Sequence, residues 1–174
     1  GYITLALQRR HPDRVSAMIL ANTRAGADTA EAAERRAAQA ADIRAGGLER
    51  FLADMRGKLI GPTTRANAPD VLRLLDDILA TATVEGTAGM LEAMAGRPDA
   101  SAQLAETDIP VCIISGEEDT LIPPSEAEAM HVSLPGSELH VLPNSGHLSC
   151  LERPTLFNNV VDAFLARHLA AGHG

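Results

Sequence analysis

The segment Ile109-Pro110-Val111-Cys112-Ile113-Ile114-Ser115-Gly116-Glu117-Glu118-Asp119 decides how the chain is read. Val111 to Ile114 is an unbroken apolar run, short and closed by Ser115-Gly116. Such a run is expected of a strand buried on both faces, as in a parallel sheet. Three carboxyl side chains follow on the loop that leaves this strand. Loops at the carboxyl ends of parallel strands are where ligands and reacting groups collect. One stretch thus predicts both a fold class and a place for chemistry.

Downstream, the same pattern repeats. Ser125-Glu126-Ala127-Glu128 reads as a capping box opening a helix through Met130. Leu134-Pro135-Gly136-Ser137 is a turn, Glu138–Leu142 a strand, and Pro143-Asn144-Ser145-Gly146-His147 a loop. Pro154 sits where a helix begins, with Leu156, Phe157, Val160, Val161, Phe164, Leu165 and Leu169 as its apolar stripe. Upstream, Tyr2–Arg10 is a short helix whose basic last turn suits the negative end of its dipole. His11-Pro12 stops it, because the residue before a proline is pushed out of the helical region. Val15–Ala21 then reads as a strand, closed by Asn22-Thr23, which makes half of a βαβ crossover.

Residues 24–107 have another character, rich in Ala, Arg, Glu and Asp and without a convincing strand. Asp28-Thr29-Ala30-Glu31 predicts a helix capped by Asp28 and running to Ala45, where Gly46-Gly47 ends it. Leu48, Phe51, Leu52, Met55 and Leu59 recur at helical spacing. So do Val71, Leu72, Leu74, Leu75, Ile78 and Leu79, and a fourth helix around Met90, Leu91 and Met94 ends near Gly96-Arg97-Pro98. The expected architecture is α/β. A parallel layer formed by residues 1–23 and 108–174 is interrupted by an all-helical insert over 24–107.

The chain has 174 residues, 45% of them hydrophobic, which suits one globular domain. Fifteen Lys and Arg against 23 Asp and Glu give a net charge of −8 without a basic cluster, so nucleic acid is not an expected partner. Ala17–Ala21 and Val111–Ile114 are far shorter than the ~20 residues that span a bilayer, so no membrane is expected. Two cysteines, Cys112 and Cys150, make no disulfide framework and favour a reduced, cytoplasmic setting. No His and Cys cluster has metal-ligand spacing, and no cofactor is expected.

Asp119 and His147 are the candidate site residues. Each follows a predicted strand, so a carboxylate and an imidazole can meet above the sheet. The carboxylate would fix the imidazole tautomer and leave its other nitrogen free as a base. Alone, an acidic turn is a solvated loop and a loop histidine is structural; the paired placement, acid then histidine, carries the reading. His11, His131, His140, His168 and His173 read as surface or strand residues.

With its acid turn and Pro123, the opening segment resembles the strand-and-acid motif of the α/β-hydrolase superfamily. Asn144-Ser145-Gly146-His147 followed by Glu152-Arg153-Pro154 resembles that family's histidine loop. Gly1-Tyr2-Ile3-Thr4-Leu5-Ala6-Leu7, with His11-Pro12-Asp13-Arg14-Val15, resembles the helix after its nucleophile elbow, and Ala95–Ser101 the return from lid to core in bacterial members. The resemblance implies a partial α/β-hydrolase fold, its last three parallel strands with flanking helices plus a helical lid. It also implies a Ser-His-Asp triad cleaving a small, apolar carboxylic ester or lactone without a cofactor. The family's Gly-x-Ser-x-Gly is missing: none of serines 16, 101, 115, 125, 133, 137, 145 and 149 has glycine on both sides at that spacing. The nucleophile is therefore expected upstream of residue 1, and the chain alone is expected to be inactive. The strand Val15–Ala21 is then expected to be an open edge. Met18, Ile19, Leu20 and the inner face of the first helix would be bare, awaiting the N-terminal part of the same protein or a second copy. The alternatives are a non-catalytic small-molecule binding or signalling member of the family, or an inactive fragment.

Overall fold

A computed structural model describes residues 1–168; the predicted stripe position Leu169 and His173 lie outside them. Among the described residues, β1 (Met18–Ala21), β2 (Val111–Gly116) and β3 (Glu138–Leu142) form one parallel sheet in the order β1-β2-β3. Met18 faces Val111 and Ala21 faces Ile114; Cys112 faces Glu138 and Gly116 faces Leu142. Every residue of the central strand is buried, as an apolar run covered on both faces requires.

The two faces have separate packing. Leu20, Val111 and Ile113 point toward Leu5 of α1 (Tyr2–Arg10), Leu104 of α7 (Ser101–Ala105) and Met130 of α8 (Pro124–Ser133). Cys112, Ile114 and Leu142 point toward α10 (Pro154–His168), whose Phe164 is fully buried. In a chain with three phenylalanines, that ring is the bulkiest filler of the core. Burying a side chain of this size stabilises a fold by about 1.5–3 kcal/mol.

Between the strands β1 and β2 the chain is helical: α2 (Ala30–Asp42), α3 (Leu48–Leu59), α4 (Pro62–Asn67), α5 (Pro69–Leu79), α6 (Val84–Ala95) and α7. Ala40 and Ile43 meet Ala88 and Leu91 in a third apolar cluster, closed by Leu48, Phe51 and Met94. Small alanines at this contact let α2 and α6 come close.

Several local expectations are corrected. The first long helix is capped by Thr29, whose hydroxyl accepts from the Ala32 N–H at 3.2 Å, because the Asp28 carboxylate is taken by Arg24 and Arg36. That helix does not stop at Gly46-Gly47. It passes through a π-type turn, Ile43–Gly47, straight into α3, and Gly46 at φ +105° absorbs the kink. Ser125 forms no capping bond; Pro124, with φ already set for a helix, starts α8 one residue earlier. β1 starts at Met18 rather than Val15, since its ladder begins where the Met18 N–H reaches the Pro110 carbonyl at 2.9 Å. Leu74, Ile78, Leu156 and Leu165 are exposed, at the margins of their stripes. The short helices α4, α7 and α9 (Ser149–Glu152) had no sequence expectation.

The open edge expected of the first strand is present, but the expected baring of its side chains is corrected. β1 pairs only with β2 among the described residues, but Met18 and Leu20 are buried and Ile19 packs beside Phe164. On α1, Leu5 is buried, while Ile3 is 76% and Leu7 47% exposed.

At the carboxyl end of the sheet, three backbones nearly touch. A Cβ on Gly116 would collide with the carbonyls of Ser145 and Gly146, and one on Gly146 with the backbone of Ile60 and Gly61. Gly89, within α6, faces open space. Gly116→Ala or Gly146→Ala should destabilise by about 1–3 kcal/mol through overpacking. Gly89→Ala should stabilise by about 0.5–1 kcal/mol through helix propensity. Urea denaturation of the three variants checks both signs.

Candidate functional site

Asp119 lies on the turn after β2, held by its own N–H on the Gly116 carbonyl at 3.1 Å. It is 3% exposed, unlike Glu117 beside it. Its Oδ1 accepts from the backbone N–H groups of Leu121 and Ile122, both at 2.9 Å. Its Oδ2 accepts from Asn22 Nδ2 at 3.1 Å and faces His147 Nδ1 at 2.9 Å. Burial pushes the Asp119 carboxyl up, but the hydrogen bond from His147, that of Ile122, the His147 charge and the Asn22 amide outweigh it. The carboxyl titrates below its ordinary value of 3.8. An ionised carboxylate only accepts, so Nδ1–H donates to it, and in the neutral imidazole this leaves Nε2 with a lone pair.

His147 follows β3 on a loop that begins with Asn144 at φ +55°. The other two acids of the turn seat this loop. Glu117 accepts from the Asn144 N–H at 3.0 Å, and the Glu118 N–H donates to the Ser145 carbonyl at 2.8 Å. The Glu118 carboxylate also accepts from Thr63, from its N–H at 3.0 Å and from its hydroxyl. Glu-Glu-Asp is therefore three separate anchors rather than a solvated acidic turn.

Three contributors to the site escaped the sequence reading. Asn22 sits in the left-handed region at φ +47°, where its amide donates to Asp119 and to the Gly146 carbonyl, both at 3.1 Å. Its oxygen accepts from the Ser149 hydroxyl at 2.5 Å. The available signal was an asparagine directly after a strand, since asparagine tolerates that conformation. Glu152, 4% exposed, accepts from the Gly146 N–H at 2.8 Å and the Gly61 N–H at 2.9 Å. Thr63 was read only as part of a helical stretch.

His147 opens onto a cavity of about 550 Å³. Phe51, Met55, Leu91, Met94 and Phe157 give it apolar walls, and Arg36, Gln39 and Lys58 give it polar ones. Toward the amino end of the sheet, the pairing of β2 with β3 brings together Cys112, Glu138 and His140, their ligand atoms within 4.8 Å of one another. Spacing along the chain had not suggested this group. Burial and the Glu138 charge push the Cys112 thiol up to about 11, and Arg167 already neutralises Glu138 at 2.5 Å, so the donor set is poorly suited to a cation.

Comparison with known proteins identifies the family. The family model described as "alpha/beta hydrolase fold" matches residues 1–154. The chain is 31% identical over 156 residues to 3-oxoadipate enol-lactonase 2 of Acinetobacter baylyi, covering 90% of this chain and 57% of that protein. A thermophilic esterase from Thermogutta terrifontis, solved with malate bound, superposes with a TM-score of 0.92 at 32% identity, over 97% of this chain and 62% of that one. The enol-lactonase from Burkholderia xenovorans superposes at 0.81 with 26% identity, over 94% and 61%. The chain thus spans about three-fifths of the length of these relatives. It belongs to the α/β-hydrolase fold family.

Proposed function

We propose that the protein carrying this chain hydrolyses a small carboxylic ester or lactone, with His147 as general base and then general acid and Asp119 as its orienting carboxylate. The observation that carries the reading is the 2.9 Å contact between Asp119 and His147 Nδ1 at the mouth of a largely apolar cavity. The esterase and lactonase relatives support the reaction class. In this scheme a serine outside residues 1–174 supplies the nucleophile. Its hydroxyl adds to the substrate carbonyl while His147 Nε2 takes the proton. The tetrahedral intermediate then collapses, and the departing alkoxide receives that proton; in a lactone it stays tethered to the acyl chain. Water repeats the sequence and frees the acid. Residues 24–107 act as a lid over the acyl group, contributing Phe51, Met55, Leu91 and Met94 to its walls.

Asp119→Asn in the intact enzyme should lower kcat by about 10³-fold or more with KM changed only a few-fold, because the amide favours the wrong tautomer. His147→Ala should lower kcat at least as far, and residues 1–174 alone should give no turnover above that variant. Steady-state kinetics on a p-nitrophenyl ester checks these. An Asp119→Asn enzyme with wild-type kcat would overturn the assignment.

Acid stability gives a second check. Because the Asp119 carboxyl titrates below 3.8 in the fold, it stabilises the native state above that pH. The contribution is lost as pH falls through the depressed value. Urea midpoints measured from neutral pH downward should fall more steeply for the native protein than for Asp119→Asn.

A further inference from the structure

Charge is distributed unevenly around the cavity. On its helical side, guanidinium groups converge on a single carboxylate. The Asp28 side chain, with no exposed surface, accepts from Arg24 and from Arg36 Nε at 2.5 Å, and Arg97 Nη2 stands 4.0 Å away. Burial pushes the Asp28 carboxyl up, but the hydrogen bonds and charges of Arg36 and Arg24 bring it below its ordinary value, so it is ionised. Glu126 stands 4.0 Å from Arg24, the same distance as Arg97 from Asp28, so two carboxylates face the three guanidiniums and one positive charge is left in excess.

The three arginines are not equivalent. Arg97 is used up within the fold: it donates to the carbonyls of Ala25 and Gly26, and its guanidinium lies 4.0 Å over the Tyr2 ring. Arg24 is engaged with Asp28 through an Nη. Arg36 binds Asp28 through Nε alone. Its Nη groups make no hydrogen bond among the described residues, and the side chain lines the cavity that His147 opens onto. Lys58 shares that lining, but Asp54 neutralises it at 2.6 Å. Gln39, three residues beyond Arg36 on α2, lines the same wall. The net charge of −8 on these 174 residues disfavours anions at long range, so one positive charge in excess at the cavity wall stands out against it.

Building on the hydrolase reading above, we infer that the substrate carries a carboxylate in addition to its scissile ester or lactone carbonyl, and that the Nη fork of Arg36 holds it. A planar fork with two outward N–H donors matches a carboxylate edge to edge. With Lys58 neutralised, one uncompensated guanidinium fits a monoanion better than a phosphate dianion. The substrate class is then a half-ester of a short dicarboxylic acid, or a lactone with a free acid arm, with its middle against Phe51, Met55 and Met94. The proposal refines the expected small, apolar ester-like substrate to one that is apolar in the middle and anionic at one end.

The test uses the intact enzyme and two esters matched in length, mono-p-nitrophenyl glutarate and p-nitrophenyl pentanoate. The native enzyme should prefer the glutarate ester. Arg36→Gln should cut that preference about 10- to 100-fold, the range for losing a hydrogen-bonded charge, mainly through KM. Arg36→Lys, which keeps the charge and loses the fork, should recover part of it. An independent measurement is glutarate binding by titration calorimetry, expected to weaken at least tenfold in Arg36→Gln. Loss of both esters by the same factor, with glutarate binding unchanged, would make Arg36 a structural partner of Asp28 and overturn the proposal. Hydrolysis of the neutral ester with no Arg36-dependent discrimination would also overturn it while sparing the hydrolase reading. Arg36-dependent glutarate binding with no hydrolysis of either ester would support the anion subsite and overturn the hydrolase reading instead.

Discussion

The arrangement at the carboxyl end of the sheet depends on backbones that meet without side chains between them. Gly116 closes β2 against Ser145 and Gly146, and Gly146 in turn abuts Gly61. The contact would leave N–H groups buried, and Glu152 resolves this by accepting from Gly146 and Gly61 with its two carboxylate oxygens. Burying an unmatched N–H costs about 1–3 kcal/mol, so the carboxylate and the glycines have to be present together. Spread these backbones by the width of a methyl group, and His147 no longer reaches Asp119. The start of α4 is fastened at the same place, by Glu152 to Gly61 and by Glu118 to Thr63, so the helical segment and the histidine loop meet at one foundation.

How much of this was legible in sequence follows from the range of the interactions. The strand Val111–Ile114, the acid turn and the histidine loop were readable because each is local: an apolar run, a turn glycine, an imidazole at a fixed place after a strand. The order of these motifs along the chain sufficed for the fold class. Asn22 was not readable as a site residue, since its partners are 97 and 124 residues away and its φ of +47° is set by them. Glu152 was visible as part of Glu-Arg-Pro, but its task depends on Gly61, 91 residues earlier. Caps failed where side chains had competing partners. Asp28 is the better cap by residue type, yet two arginines claim it and Thr29 takes over. Gly46-Gly47 looked like a stop, and Gly46 instead takes a positive φ that lets one helix run on into the next.

The same distinction separates family from function. The fold is shared across relatives whose names differ in what they cleave. The fold fixes where reacting groups sit, and the walls of the cavity decide what is brought to them. Here those walls combine Phe51, Met55 and Met94 with Arg36, and the charge belongs to a cluster centred on Asp28 that neither Asp119 nor His147 touches.

That separation reaches into the core. Ala40, Ile43, Ala88 and Leu91 pack among themselves, apart from the two clusters that clamp the sheet. Substitutions at sites with no shared partners act nearly independently on stability. Side chains at Ala40, Ile43, Ala88 and Leu91 can therefore change and relax within their own small core with little effect on strand register or on the Asp119–His147 contact. What lines the cavity and what seats the imidazole thus rest on largely separate contacts, joined where Glu118 and Glu152 hold the start of α4.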